Sequence, residues 1–217
     1  MFLESLSGSW YDTSYTRNLR HNTTQGQFVA WGASFGDVDN DADLDAVVAF
    51  GFIDLGDRWK NPVEQPDSLF LQQDDGLFAE SAFAWGVSDR DSSRGFVLAD
   101  INDDGWLDMS KQSLNGNRKL YLSRCGDEAW MRVRAHQSSS PNTQAIGARI
   151  RLHSGDIVQE RTLRAGGTNH ASSGPAEAHF GLARLDTVER VEIVWPDQQI
   201  STFDDVPTRQ ILTITRE

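Results

Sequence analysis

Short apolar runs alternate with turns rich in Gly and Asp along the first 128 residues. The runs are four or five residues long and contain many β-branched and aromatic side chains, which is typical of buried strands. This pattern predicts strands at 28–31, 46–50, 68–72 and 119–123. The segment 51–67 contains Pro62 and Pro66 and is predicted to be a long surface loop.

From residue 130 onwards, apolar and polar residues alternate one by one, which is the period of half-buried strands. Such runs occupy 130–135, 147–152 and 191–195, and a last strand is predicted at 209–216. Ser154-Gly155-Asp156 predicts a hairpin turn into 157–163. The fold class predicted for the chain is all-β, and residues 129–217 form an antiparallel, sandwich-like domain.

A nonapeptide rich in Asp occurs twice, as Asp37–Asp45 and as Asp100–Asp108, with an offset of 63 residues. Gly8-Ser-Trp-Tyr-Asp12 and Gly76-Leu-Phe-Ala-Glu80 are also alike. An internal period near 60 residues is typical of stacked β units, such as four-stranded propeller blades. Residues 1–128 are therefore predicted to hold two repeats, at about 8–75 and 76–125.

The charge of the chain is concentrated in this first part. Residues 1–128 carry 22 of the 32 acidic and 10 of the 20 basic residues, so the whole net charge of −12 lies there. Such a surface repels nucleic acid and anionic membranes, and no apolar run approaches the roughly 18 residues that cross a bilayer. We expect neither a nucleic-acid partner nor membrane insertion. The single Cys125 excludes a disulfide framework.

The two acidic nonapeptides have the spacing of a calcium-binding loop. Side-chain oxygens at positions 1, 3, 5 and 9, with a backbone carbonyl at position 7, can surround one hard cation, and Ca²⁺ tolerates irregular oxygen geometry. Zinc would prefer His or Cys, and neither occurs in the loops. The predicted ligands of about two Ca²⁺ sites are Asp37, Asp39, Asp41, Asp43 and Asp45 in the first loop and Asp100, Asn102, Asp104, Trp106 and Asp108 in the second.

The alternative is a pair of metal-free turns, since Asp and Asn favour turns by themselves. Repulsion between crowded carboxylates argues for a counter-ion. Position 6 is Ala42 in the first loop and Gly105 in the second, so a positive φ there would strain the first loop by about 1 kcal/mol.

Two known families resemble this sequence. Phe35–Asp45 and Leu98–Asp108 resemble FG-GAP (VCBS-type) repeats, over about residues 8–125. The remainder is similar to the ASPIC/UnbV domain, through Ile146-Gly-Ala-Arg149, Arg164-Ala-Gly-Gly167, His179-Phe-Gly-Leu182 and Val194-Trp-Pro196. This arrangement is that of the cartilage-acidic-protein-like family. The resemblance implies β-propeller blades with calcium in their loops, in a secreted or cell-surface protein without an established catalytic activity.

Two blades cannot close a propeller, because even small propellers have four. A piece of a longer chain, sheet edges docked on the C-terminal domain, and self-association through open edges all remain open. Met1-Phe-Leu-Glu4 lacks the basic and long apolar regions of a signal peptide, which favours the first of these.

We expect a non-enzymatic, calcium-binding interaction or adhesion module outside the cell, with a protein or polysaccharide partner. A carbohydrate-binding module is the alternative, with Trp59, Trp85 or Trp106 as stacking platforms. A polysaccharide-active enzyme using Asp108 or His170 is the weakest reading, because no catalytic set is recognisable.

Two further features of the C-terminal part have structural explanations. His179 is interpreted as a packed, hydrogen-bonded residue. Six arginines are expected on a solvated sheet face, and docking to the acidic repeats is the alternative. They are Arg132, Arg134, Arg149, Arg151, Arg161 and Arg164.

Overall fold

The computed structural model describes residues 3–20, 28–53, 64–114, 116–123, 126–166 and 172–217. Within these ranges the chain is all-β, as the sequence predicts, and no described segment is helical. A helix able to span a membrane is accordingly absent from the described residues. Cys125, His170, Trp59 and Pro62 lie outside the described residues.

The strands of the first part are β1 (Leu3–Leu6), β2 (Ser9–Asp12), β3 (Ala30–Gly36), β4 (Asp45–Phe50), β5 (Gln65–Pro66), β6 (Ser68–Gln72), β7 (Phe78–Glu80), β8 (Arg90–Asp91), β9 (Ser93–Ala99), β10 (Asp108–Ser113) and β11 (Lys119–Tyr121). The strands of the second part are β12 (Trp130–Gln137), β13 (Arg149–Ser154), β14 (Ile157–Thr162), β15 (Ala178–Gly181), β16 (Thr187–Val194), β17 (Ile200–Pro207) and β18 (Gln210–Arg216).

Two antiparallel sheets dominate the first part, with strand orders β3-β4-β6-β7 and β11-β10-β9. The hairpin β1-β2 and the short pair β5-β8 accompany them. The two sheets meet where β3 faces β9, and a Cβ on Gly32 would lie only 3.0 Å from the Cα of Gly95. Apolar side chains from both sheets share one core there, including Val47, Leu69 and Phe96.

The first sheet has four strands and the second has three, and the described strands form no closed barrel or propeller. The number of blades therefore stays a prediction. Strand β7 pairs with β6, so the first sheet extends to Glu80 and the sequence repeat is offset from the sheets by one strand.

The segment 51–67 differs from the predicted surface loop in its described residues. Gly51 and Phe52 are buried, and so are Gln65 and Asp67 at the other end. The reason is that Asp67 accepts a hydrogen bond from the N–H of Phe50 and Gln65 accepts one from Val29, so polar side chains complete the neighbouring backbone.

The second part consists of two packed sheets, with orders β15-β12-β18 and β14-β13-β16-β17. Apolar side chains from both sheets, among them Met131, Ile150, Phe180 and Trp195, form one core. The expectation of purely antiparallel sheets needs one correction, because β12 and β18 are parallel. These are the first and last strands of this part, and the long intervening chain provides the crossover that parallel pairing needs.

Candidate metal centre

The first carboxylate of each acidic loop folds the loop around itself. Asp37 accepts hydrogen bonds from the backbone N–H groups four and five residues later, at 3.1 and 2.9 Å. Asp100 accepts the same two bonds in the second loop, at 3.1 and 2.7 Å. Because N–H groups prefer a charged acceptor, these bonds fix the turn and the position of the carboxylate together.

The last carboxylate of each loop is tied in the same way. Asp45 accepts from the N–H seven residues earlier at 2.8 Å and from the N–H of Gln72 at 3.0 Å. Asp108 accepts from the N–H seven residues earlier at 2.9 Å and from that of Ser123 at 2.8 Å. The two nonapeptides are therefore structural copies, and they join β3 to β4 and β9 to β10.

Backbone conformation also agrees between the copies. Asn40 and Asp103, at position 4, both have φ of 60°. At position 6, φ is 86° at Ala42 and 88° at Gly105. The loop does require the left-handed region at position 6, so the strain expected at Ala42 is present.

Three carboxylates of the first loop converge. Asp37, Asp39 and Asp45 each place one oxygen within 4.8 Å of the others. Asp37 and Asp45 are buried and Asp39 is half-buried. Of the other predicted ligands of this loop, Asp43 is half-buried and Asp41 is exposed, and neither belongs to this group of three.

The electrostatics of this cluster oppose its ionisation. Burial, followed by the charge of Asp41, raises the pKa of Asp37 to about 7 and that of Asp39 to about 6. Burial, together with the charges of Asp39 and Asp37, raises the pKa of Asp45 to about 8. The cluster is therefore costly to ionise near neutral pH unless a cation is present.

The donors of the first loop fit a hard divalent cation. Asp39 Oδ1 is buried and has no hydrogen-bond partner among the described residues, although such groups are normally satisfied. Within the described chain, none of the five aspartates of this loop forms an ion pair with a basic side chain. Asp37, Asp39 and Asp45 would hold the ion, which would supply charge neutralisation to the folded loop.

The second loop already contains a cation of the protein. Nη1 of Arg132, from strand β12, lies 2.9 Å from Asp100 Oδ2 and 2.5 Å from Asp103 Oδ1. The side chains of Arg132 and Asp100 are 3% and 0% exposed, respectively. The sequence offers docking of Arg132 to the acidic repeats only as an alternative and does not identify Asp100 as its partner, because the pair joins residues 32 positions apart and depends on how the two parts pack.

The other predicted ligands of the second loop do not converge as the three carboxylates of the first loop do. Asp108 and Trp106 are buried, Asp104 is half-buried, and Asn102 is exposed and donates to Asp104 at 2.8 Å. In the described residues, the acidic groups of this loop form no group of three like that of the first loop.

The six arginines of the C-terminal part do not form one solvated face. Arg132 is buried against the acidic repeat, as the alternative reading proposed, and Glu177 binds its other nitrogens at 3.0 and 2.8 Å. Arg134 also binds Glu177, and Arg151 pairs with Glu160 and Glu192. Arg134 and Arg164 are the exposed members, and Arg149 is half-buried. Arg161 lies beside the Phe180 ring, at 5.1 Å from its centroid.

Strand β15 contacts both acidic loops through its backbone and one side chain. A Cβ on Gly181 would lie 2.0 Å from Asp37 Oδ2, so only glycine permits this approach. His179 Nε2 lies 3.0 Å from the carbonyl oxygen of Gly105, and burial lowers the pKa of His179 to about 4. The interpretation of His179 as a packed, hydrogen-bonded residue is confirmed. A Cβ on Gly105 would itself lie 1.8 Å from the Trp130 ring.

A cleft of about 680 Å³ lies beside the first loop. Asp39, Phe83, Trp85 and Trp106 line it together with residues of β10 and the β11 end. Phe83 is 87% exposed and Trp85 is 38% exposed, whereas Trp106 is buried. The cleft therefore places aromatic faces close to one carboxylate of the cluster.

With the loops and the two-sheet domain defined, the second part can be assigned by comparison. Residues 138–217 match the ASPIC and UnbV family. This confirms the resemblance stated for the C-terminal part, and the match begins directly after β12. The chain is also similar to cartilage acidic protein 1 of Mus musculus, with 38% identity over 77 residues, and to that of Homo sapiens, with 41% identity over 58 residues.

These similarities cover 35% and 26% of this chain. They cover only 12% of the mouse protein and 9% of the human protein, so the chain spans about a tenth of the curated relatives it matches. The resemblance of residues 8–125 to FG-GAP repeats stays a prediction.

Proposed function

We propose that this chain is a non-catalytic interaction module of the extracellular type, whose first acidic loop is held together by Ca²⁺. The single observation that carries the proposal is the convergence of Asp37, Asp39 and Asp45, none of which forms an ion pair with a basic side chain among the described residues. Buried like charges destabilise a fold, and a divalent cation removes that cost. The structural duplication of the loop supports an FG-GAP type of repeat.

The extracellular setting rests on the relatives. Both are named for cartilage, which is a tissue rich in extracellular matrix, and both are named as acidic. The acidic first part of this chain agrees with that description. Millimolar Ca²⁺ outside cells would suit a short loop of modest affinity. The partner is proposed to be a protein or a polysaccharide at the cell surface or in the matrix.

Self-association is proposed as a weaker property of the first part. Strand β11 is an edge strand of a three-stranded sheet, and Leu120 and Leu122 are more than half exposed beside its open edge. Unpaired edges with apolar side chains can pair with another chain. A concentration-independent monomer in sedimentation velocity would reject this property.

The test of calcium binding uses thermal unfolding at pH 7.5 with excess chelator and with excess Ca²⁺. Binding at a hundred times the dissociation constant stabilises a fold by about 2.7 kcal/mol, which corresponds to a melting temperature higher by roughly 5–10 °C. Asp39→Asn is the decisive variant, because it removes one repelling charge and one ligand.

Asp39→Asn should melt above the wild type in chelator, since repulsion is relieved, and should lose the gain from Ca²⁺. A merely structural aspartate would lower the melting temperature in both conditions. Asp156→Asn, in an exposed turn, is the control for net charge and should respond to Ca²⁺ like the wild type. Equal melting of the wild type in Ca²⁺ and chelator would reject the proposal.

Carbohydrate binding is the second candidate, and the aromatic cleft beside Asp39 favours it. Trp85 offers an exposed ring face, and a bound Ca²⁺ near Asp39 would order the cleft wall. A glycan array in Ca²⁺ should show binding that Trp85→Ala abolishes without lowering the melting temperature. Trp10→Ala is the control, because Trp10 is exposed away from this cleft. An array without any bound glycan would exclude this candidate.

A further inference from the structure

We infer that the second acidic loop is neutralised by the guanidinium of Arg132 in place of a divalent cation, so that only the first of the two copies is a Ca²⁺ site. The inference rests on the proposed function for the first loop and limits it at the second. It also gives the second loop a different task, which is to lock the acidic repeats onto the ASPIC/UnbV part of the chain.

The guanidinium of Arg132 lies at the first carboxylate of the second loop. In the second loop, Asp100 occupies position 1, which corresponds to Asp37 in the first. Arg132 Nη1 reaches its Oδ2 at 2.9 Å, and this is the same oxygen that accepts the N–H of Gly105. A cation at this carboxylate would lie next to a fixed positive charge.

All three guanidinium nitrogens of Arg132 donate hydrogen bonds to carboxylates. Its Nε and Nη2 bind Glu177 Oε1 at 3.0 and 2.8 Å, while Nη1 binds Asp100 and Asp103. The side chain of Glu177 is 7% exposed. Removing one partner of a charge pair that is buried and fully hydrogen-bonded strongly destabilises the folded protein. A Ca²⁺ ion would have to break these contacts in order to bind.

The first carboxylate of the first loop, Asp37, has different surroundings from its counterpart in the second loop. At the corresponding place, strand β15 presents the backbone of Gly181 to Asp37. The charge of Arg161 on β14 acts to lower the pKa of Asp37, but within the described chain no guanidinium forms an ion pair with that carboxylate. Position 3 carries a charge in the first loop, at Asp39, and none in the second, at Asn102. Strand β12 thus brings a guanidinium into direct contact with the second loop, whereas the first loop has only the charge of Arg161 nearby, without an ion pair.

The two loops therefore differ in what neutralises their carboxylates. The first loop depends on a metal from the medium, and the second depends on an arginine 32 residues further along the chain. We therefore expect the contact between the two parts of the molecule to persist when Ca²⁺ is removed.

The test is the number of Ca²⁺ ions bound, measured by native mass spectrometry and by equilibrium dialysis with ⁴⁵Ca²⁺ at pH 7.5. The wild type should bind one ion. Asp41 and Asp104 are a matched pair at position 5, and each accepts the N–H two residues later, at 2.8 and 2.9 Å. Asp41→Asn should weaken Ca²⁺ binding by about tenfold, because it removes a negative charge that acts on Asp37 and Asp39 although Asp41 is not one of the three converging ligands. Asp104→Asn should leave the number and affinity unchanged.

Arg132→Gln provides the reciprocal arm, because it removes the guanidinium charge and exposes the carboxylates of the second loop. This variant should bind a second Ca²⁺ ion and should need Ca²⁺ for a normal melting temperature. Where it does not fold even in Ca²⁺, the comparison of Asp41→Asn with Asp104→Asn decides the question.

The outcomes separate the inference from the proposed function. Two ions in the wild type, one of them lost in Asp104→Asn, overturn the inference and leave calcium binding intact. No ion in the wild type overturns the proposed function. In that case the first loop is not a Ca²⁺ site, and a gained ion in Arg132→Gln supports only the neutralisation of the second loop by Arg132, which the absence of a gained ion overturns.

Discussion

The two acidic loops differ in backbone strain at position 6. Both backbones have φ near +87°, which glycine adopts freely and alanine does not, and only the second loop has glycine there. The first loop therefore has one more carboxylate and one more strained residue than the second. Replacing Ala42 tests how large that strain is.

Ala42→Gly should raise the free energy of unfolding by up to about 1 kcal/mol, because it removes an unfavourable φ. The reverse change, Gly105→Ala, should lower it by several times as much, since its Cβ would overlap the Trp130 ring. Urea unfolding in Ca²⁺ measures both values. A loss of stability in Ala42→Gly would show that the backbone of the first loop relaxes without strain.

The sequence predicts the acidic loops but not which of their aspartates converge or what they pair with. Aspartates at alternate positions predict all five as ligands of the first loop, whereas the structure brings three of them together, Asp37, Asp39 and Asp45. The pairing of Asp100 with Arg132 could not be found in this way, since it depends on the packing of β12 over the loop. Arg132 alternates with apolar residues exactly as a solvent-facing strand residue would.

At the scale of elements, a buried ion network connects the two sheets of the first part. Lys111 on β10 has a fully buried side chain, and its Nζ binds Asp67, Asp89 and Asp91 at 2.8, 2.6 and 3.0 Å. Burial raises the pKa of Asp67 to about 6 despite the hydrogen bond from Lys111. Hydrogen bonds from Lys111 and Lys119 outweigh burial at Asp89 and lower its pKa.

Lys111→Met should lower the free energy of unfolding by about 3–5 kcal/mol, because it leaves buried carboxylates without a counter-charge. Lys119→Met is the matched control. Lys119 binds Asp89 and Asp91 as well, but its side chain is 36% exposed, so its loss should cost about 1 kcal/mol or less. Chemical denaturation compares the two variants, and similar losses would contradict the importance of burial.

Strands with a clear apolar period are predicted well, whereas an exposed strand and a segment with buried polar residues are not. Segment 68–72 is found as β6 with the same bounds, and β4 differs from its prediction by one residue. Strand β17 is not predicted, because six of its eight residues are exposed and no apolar period marks it. The burial of Gln65 and Asp67 is missed because buried polar residues are recognised only through their partners.

At the scale of the molecule, both acidic loops belong to the surface by which the repeats contact the C-terminal part. Asn40 O accepts the N–H of Ala183 at 2.8 Å, and Gly105 O lies 3.0 Å from His179 Nε2. The loops therefore serve packing as well as any ion. Burial is the largest cause of the raised pKa values of the three converging carboxyl groups in the first loop, so pH should act on the stability of the whole molecule.

The chelated protein should lose stability as pH rises from about 5 to about 8. Its three carboxyl groups have folded pKa values of about 6, 7 and 8, above the ordinary 3.8, so the folded state holds protons that the unfolded state has released. Stability from such groups is fully present below the unfolded pKa and is lost as pH passes the folded pKa. The expected loss is several kcal/mol, because each pH unit between the unfolded and the folded pKa of a group is worth about 1.4 kcal/mol.

In saturating Ca²⁺ this pH dependence should largely disappear, because the ion replaces the protons. Urea unfolding at pH 5, 6.5 and 8, with and without Ca²⁺, provides the comparison. Stability of the chelated protein that rises with pH over this range would contradict the repulsive cluster.

The most direct measurement is a crystal structure of this chain grown in Ca²⁺, with anomalous scattering used to locate the ions. We predict one ion, at about 2.3–2.6 Å from oxygens of Asp37, Asp39 and Asp45, and the Arg132 guanidinium bound to Asp100 in the second loop. Carboxylates of the first loop that point apart into solvent, with no ion between them, would contradict the central claim.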